Sequence, residues 1–180
     1  MKSFYLFALI PFLFLSANTK EDLIEAVTDT NIPKLTELLS KEKIDLNAAD
    51  SHNRTSLMIA SSDNNLTVVK LLVEAGADIN RKNKENGRTA LMYASVNGHY
   101  DVVKYLIEQE SNLINAKDKE GKTALIHAVM GGRMNVIKLL IENKANVNSR
   151  TYTDDSALSF ALKTGKVEII NLLRNSGGRE

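Results

Sequence analysis

The stretch Asn86–Gln109, NGRTALMYASVNGHYDVVKYLIEQ, places Thr-Ala-Leu, a small Ala and then Val-Val-x-x-Leu-Ile at regular distances. It has counterparts on both sides. NRTSLMIASSDNNLTVVKLLVEA begins at Asn53, and GKTALIHAVMGGRMNVIKLLIEN begins at Gly121. Thr55, Thr89 and Thr123 lie 34 residues apart, and Ser156 follows Thr123 by 33. Ala26, Ala60, Ala94, Ala128 and Ala161 keep the same step, and Gly98, Gly132 and Gly165 each follow their Ala by four residues. A period in the low thirties, repeated about five times, is the mark of stacked structural repeats.

Each unit has a physical reading. Thr89 is placed as an N-cap whose hydroxyl accepts an otherwise unpaired backbone N–H. Leu91 and Ala94 then share a face at i and i+3, and Ala admits a close neighbour. Asn97-Gly98 ends the helix, since Gly takes the left-handed conformation at a helix C-terminus without strain. A second helix starts near Tyr100 or Asp101, with Val102, Val103, Leu106 and Ile107 as its apolar stripe. Polar turn residues such as Asn115–Gly121 lead to the next Thr. One such unit has nowhere to bury its stripe, so units must stack into a solenoid. A core of this kind is built from Leu, Ile, Val, Met and Ala. The composition agrees, because Phe160 is the one Phe outside the first fifteen residues.

Those first residues read differently. Met1-Lys2 is a basic start, Phe4 to Leu15 is an apolar run broken only by Pro11, and Leu15-Ser16-Ala17 precedes an abrupt polar shift. The pattern predicts a signal peptide over residues 1–17, cleaved after Ala17, and hence a periplasmic or secreted protein. The apolar run is too short for a bilayer span, which needs about 20 residues. No Cys is present, which removes disulfides, thiolate metal sites and cysteine nucleophiles together and favours a bacterial periplasm. The 23 basic and 22 acidic residues give a formal charge of +1. An almost neutral chain with interspersed signs carries no footprint for nucleic acid, nor for a membrane beyond the leader.

No motif carries chemistry. His52, His99 and His127 stand 47 and 28 residues apart, without paired-ligand spacing, and read as structural. Asp154-Asp155 reads as a helix-dipole complement ahead of the Ser156 cap. Gly131-Gly132 lacks the Lys-Ser/Thr of a phosphate loop. The chain is therefore expected to be a non-enzyme with no cofactor and no metal.

The repeat resembles the ankyrin repeat. The family's Gly-x-Thr-Pro-Leu-His-x-Ala, Gly-His, Val-Val-x-Leu-Leu and Gly-Ala-Asp-x-Asn correspond to Gly87–Ala94, Gly98-His99, Val102–Leu106 and Gly76–Asn80. The resemblance covers about Asp22 to Gly178. It implies an all-α ankyrin-repeat solenoid over residues 18–180, with repeats at about 19–50, 51–84, 85–118, 119–151 and 152–180. The family's Pro is replaced by Ser56, Ala90, Ala124 and Ala157, and its His by Met58, Met92, Ile126 and Ser159. The missing His implies fewer hydrogen bonds between loops and a softer stack. The last unit stops at Gly178 with no further hairpin, and its second helix, which carries Leu173, is expected to be half exposed.

The resemblance also implies a protein partner and a monomeric, non-covalent binding module. The family's contact positions, on the loop tips and the exposed side of the first helices, correspond here to Arg54, Arg88, Val96, Lys119, Lys122, Met130, Tyr152 and Asp155. Met130 and Tyr152 stand out, because exposed Met and aromatic residues are enriched in interfaces. A periplasmic scaffold or stabiliser of another exported protein is the leading expectation. An immunity or inhibitor protein, a secreted effector binding a host protein, and an enzyme with an unrecognised site are the alternatives.

Overall fold

Thr55, Thr89, Thr123 and Ser156 each accept a hydrogen bond from a backbone N–H three residues on, and each starts a helix. A computed structural model describes residues 19–41 and 44–180. The leader over residues 1–17 and its cleavage point lie outside the described residues, as do residues 42 and 43. The described residues form ten α-helices: α1 (Thr19–Thr28), α2 (Ile32–Leu39), α3 (Ser56–Ser62), α4 (Leu66–Glu74), α5 (Ala90–Asn97), α6 (Tyr100–Gln109), α7 (Ala124–Gly131), α8 (Met134–Glu142), α9 (Ala157–Thr164) and α10 (Val167–Asn175). A short 3₁₀ turn, Ser111–Asn115, takes up the extra residues after α6.

Consecutive helices pack as five pairs, and the pairs stack in two layers. Helices α1, α3, α5, α7 and α9 each touch the next in that series, while α2, α4, α6 and α8 do the same in the second layer. Within a pair the turn is tight. Gly98, Gly132 and Gly165 sit at positive φ after α5, α7 and α9, and Thr30 and Asn64 adopt the same conformation in the first two pairs. Ala26, Ala60, Ala94, Ala128 and Ala161 are all buried, which accounts for the small residue at that step. Leu, Ile, Val, Met and Ala make up the whole buried apolar core among the described residues. Packing at interior density leaves little room there for larger side chains.

The polar segments between pairs are hairpin loops closed by backbone rungs. The N–H groups of Asp50, Asn83, Asp118 and Thr151 donate to the carbonyls of Arg54, Arg88, Lys122 and Asp155 at 2.9–3.0 Å. Residues Asn53, Gly87, Gly121 and Asp154 hold positive φ at the same place in the four hairpins. Neighbouring hairpins touch directly. The Lys119 N–H donates to the Asn86 carbonyl, and the Tyr152 N–H to the Glu120 carbonyl, both at 3.0 Å. The loops thus form one continuous edge of the stack.

The last helix is half exposed, as expected: Val167, Glu168, Asn171, Arg174 and Asn175 face solvent, while Leu173 is 0% exposed on the packed side. Residues beyond α10 fold back over the last pair: the Gly178 N–H donates to the Leu173 carbonyl at 2.8 Å, and the Arg179 N–H to the Asn148 side chain at 2.8 Å. The Ser156 hydroxyl donates to the Arg179 carbonyl at 2.9 Å.

Candidate protein-binding surface

Each hairpin is organised around one buried or half-buried polar side chain at its first rung. Asp50 accepts from the N–H groups of His52 and Arg54, and its second oxygen accepts from the Arg54 guanidinium at 2.9 Å. Burial alone would raise the Asp50 pKa, but the Arg54 N–H, its guanidinium and the His52 N–H together hold it below its ordinary value of 3.8. Asp118 repeats the arrangement with the N–H groups of Glu120 and Lys122. Its remaining oxygen lies 2.8 Å from His127 Nε2, and both side chains are buried.

Burial pushes His127 below its ordinary value of 6.5. The Asp118 hydrogen bond works against that shift, and the nearby Arg88 charge adds to it. A neutral imidazole donating from Nε2 fits these contacts. It leaves Nδ1 buried with no partner among the described residues, as is Arg88 Nε. The structural reading of His127 holds, through a buried hydrogen bond that spans nine residues of sequence. His99 is structural too, its Nε2 lying 2.8 Å from the Ser62 carbonyl of the preceding pair.

Side-chain hydrogen bonds still tie the loops at a repeat where Met92 replaces the family His. Asn83 Nδ2 donates to the His52 carbonyl at 2.9 Å, and Asn86 Nδ2 to the Tyr93 hydroxyl at 3.1 Å. A second set of stitches has a direction. Lys82 Nζ donates to the Lys117 carbonyl at 2.7 Å, and Lys117 Nζ to the Arg150 carbonyl at 2.8 Å. Arg150 in turn donates to the carbonyl of Glu180. At this column each basic side chain reaches forward to the next unit.

The eight residues singled out from the sequence divide by environment. Tyr152 is 71% exposed and Met130 37%, and Lys119 is also exposed. Arg54 is held by Asp50. The Lys122 side chain is only 12% exposed and pairs with Glu120 at 2.7 Å. Val96 is half-buried, and its carbonyl accepts from Arg133 Nε of the next pair at 2.9 Å. Asp155 pairs with Lys163 at 2.6 Å, so it is an ion-pair partner as well as a neighbour of the Ser156 cap. Arg88 is half-buried beside the His127 pair.

A shallow groove of about 480 Å³ brings Lys119 and Tyr152 together with Lys82, Lys84 and Lys117. The last three were not singled out from the sequence. A Lys-x-Lys spaced by one loop, at 82/84 and again at 117/119, is the signal that points to them. Lys117 Nζ stands 5.8 Å from the centre of the Tyr152 ring, within cation–π range. Met130 does not line this groove. Among the described residues no group of three or more His, Asp and Glu is arranged to hold a metal ion, and no helix is long and apolar enough to cross a membrane.

Stacked helix pairs with mutually stitched hairpin loops define the class: a helical-repeat protein. The chain matches the model of a family described as ankyrin repeats (3 copies) over residues 23–117 and 110–179. It belongs to the ankyrin-repeat family, and so to a group of protein–protein interaction modules. A search of curated proteins found no match to the chain.

Proposed function

We propose that this protein is a non-enzymatic scaffold or stabiliser that acts in the periplasm and holds another exported protein. The observation that carries the reading is Tyr152. A 71% exposed aromatic sits on a loop edge fixed by backbone and side-chain stitches, so a partner would meet a preorganised surface. Met130 supplies a second exposed apolar group, and Lys119 a charge beside Tyr152. The leader over residues 1–17 supports export, and cleavage after Ala17 is part of the proposal. Binding would proceed by shape and hydrogen-bond complementarity, with no covalent step.

The test starts with affinity capture of the protein from periplasmic extract, followed by calorimetric titration of the recovered partner. Truncating a true anchor costs about 2 kcal/mol or more, which is about thirtyfold in affinity. Tyr152→Ala and Met130→Ala should show such losses, while Lys70→Ala and Lys138→Ala, exposed on α4 and α8, should not. Loss only in the Lys variants would move the site to the second helices and overturn the assignment. A protein retained in the cytosol with an intact Met1 would overturn the periplasmic part.

A further inference from the structure

The groove under Tyr152 carries a charge that the rest of the chain does not predict. The formal charge is only +1. Residues 19–50 are acidic, with eight carboxylates against four lysines. Yet two successive hairpins point Lys82, Lys84, Lys117 and Lys119 at one depression. None of these four makes an ion pair among the described residues.

The one carboxylate in the groove wall is Asp118. Its oxygens are engaged by two backbone N–H groups and His127, so it makes no ion pair with the lysines, and it can offset at most one of their four charges. The nearby Glu85 carboxylate accepts from Asn53 at 2.9 Å and pairs with none of them. The groove is therefore net positive.

It is also held in place. Lys82 and Lys117 each donate to a carbonyl of the next hairpin, and Lys119 Nζ donates to the Lys84 carbonyl at 2.5 Å. An ammonium has three donors and a single carbonyl uses one. Each of these lysines keeps donors for a ligand while its side chain is already ordered, which lowers the entropic cost of binding.

We propose that this groove takes an acidic peptide segment of the partner protein, its carboxylates meeting Lys82, Lys84, Lys117 and Lys119 and its backbone passing the Tyr152 ring. The inference rests on the interaction-module reading above and adds the chemistry of the partner. A lysine ammonium is a compact point charge that suits carboxylates of varied placement, whereas recognition of nucleic-acid strands favours arginine forks and aromatic stacking. A single exposed Tyr does not make a stacking platform for successive bases.

The test uses the full chain and a fluorescein-labelled decaglutamate peptide, read by anisotropy. Binding should be measurable at low salt and should weaken as ionic strength rises. Decaglutamine should not bind. The double variant Lys84→Gln/Lys119→Gln should bind decaglutamate about tenfold more weakly, since each charge pair at a surface contributes up to about 1 kcal/mol. Lys70→Gln/Lys138→Gln should bind as the parent does. Lys84→Gln alone should weaken binding about threefold, which guards against a folding defect from losing the Lys119 stitch. Equal binding of the two double variants, equal binding of decaglutamine, or tighter binding of a ten-nucleotide RNA would each overturn the proposal. If decaglutamate fails to bind while Tyr152→Ala still abolishes capture of the natural partner, the acidic-segment inference falls and the interaction-module reading stands.

Discussion

The hairpin that opens at Asp118 and the one that opens at Thr151 share a rung, a length and a left-handed residue at the fourth position. That residue is Gly121 in the first and Asp154 in the second, with φ of +79° and +65°. A Cβ on Gly121 would lie 2.8 Å from the Tyr152 nitrogen and 3.0 Å from the Thr151 Cα. Asp154 is exposed, and its side chain turns back to Arg150. Gly87 repeats the interior case against Lys119. The turn itself accepts Asn or Asp, as at Asn53 and Asp154; at Gly87 and Gly121 the next hairpin lies too close for a Cβ. Interior and terminal repeats therefore obey the same local rules under different steric pressure.

The largest expected effect contrasts Leu91 in α5 with Leu173 in α10, which are 1% and 0% exposed. Leu91→Ala should cost about 3–5 kcal/mol, because α5 is packed by both α3 and α7 and the site has little freedom to collapse. Leu173→Ala should cost about 2–3 kcal/mol, because α10 packs mainly on α9 and the returning tail. Urea unfolding gives the two losses, and hydrogen exchange should show α10 opening locally in the second variant. Identical losses with global exchange in both would show the end to be as tightly coupled as the middle.

A smaller contrast separates Gly121 from Gly165. Gly121→Ala should cost about 2–4 kcal/mol, combining left-handed strain of about 1–2 kcal/mol with displacement of the next hairpin. Gly165, also at positive φ, has nothing within 4 Å of an added Cβ, so Gly165→Ala should cost only the strain, about 1–2 kcal/mol. Thermal denaturation of the pair decides the matter, and equal shifts would remove loop contact as the reason for the interior glycines.

The smallest effect concerns His127. Its folded pKa lies below the ordinary 6.5, so the unfolded chain takes up a proton first as pH falls. Stability from this group is complete above about 6.5 and is lost on descending toward the depressed folded value, at up to about 1.4 kcal/mol per pH unit. His127→Gln keeps a donor for Asp118 and should flatten that slope. A parent protein whose unfolding midpoint is constant from pH 7 to pH 5 would contradict the assignment.

The sequence carried the helices well, because a hydroxyl cap, an apolar stripe and a terminal Gly are local signals. Thr89, Val102, Val103 and Gly98 each sit where spacing alone placed them. The loop edge was less legible. A Lys that donates to a backbone carbonyl one repeat away leaves no complementary residue type to find, since every residue has a carbonyl. The His127–Asp118 pair joins a helix to a loop, so neither helical nor strand periodicity reveals it. Of the candidate binding residues, Met130 and Tyr152 are as exposed as their family positions imply. Arg54, Lys122 and Asp155 instead spend their charges on neighbours.

The forward reach of Lys82, Lys117 and Arg150 gives the stack a sense of time as well as of space. A chain that emerges from its N-terminus, whether from a ribosome or across a membrane, presents Lys82 before the carbonyl of residue 117 exists to receive it. Lys117 then waits in the same way for residue 150, and Arg150 for residue 180. At every stage the newest unit is held only by contacts reaching back, and its own forward stitch comes with the next.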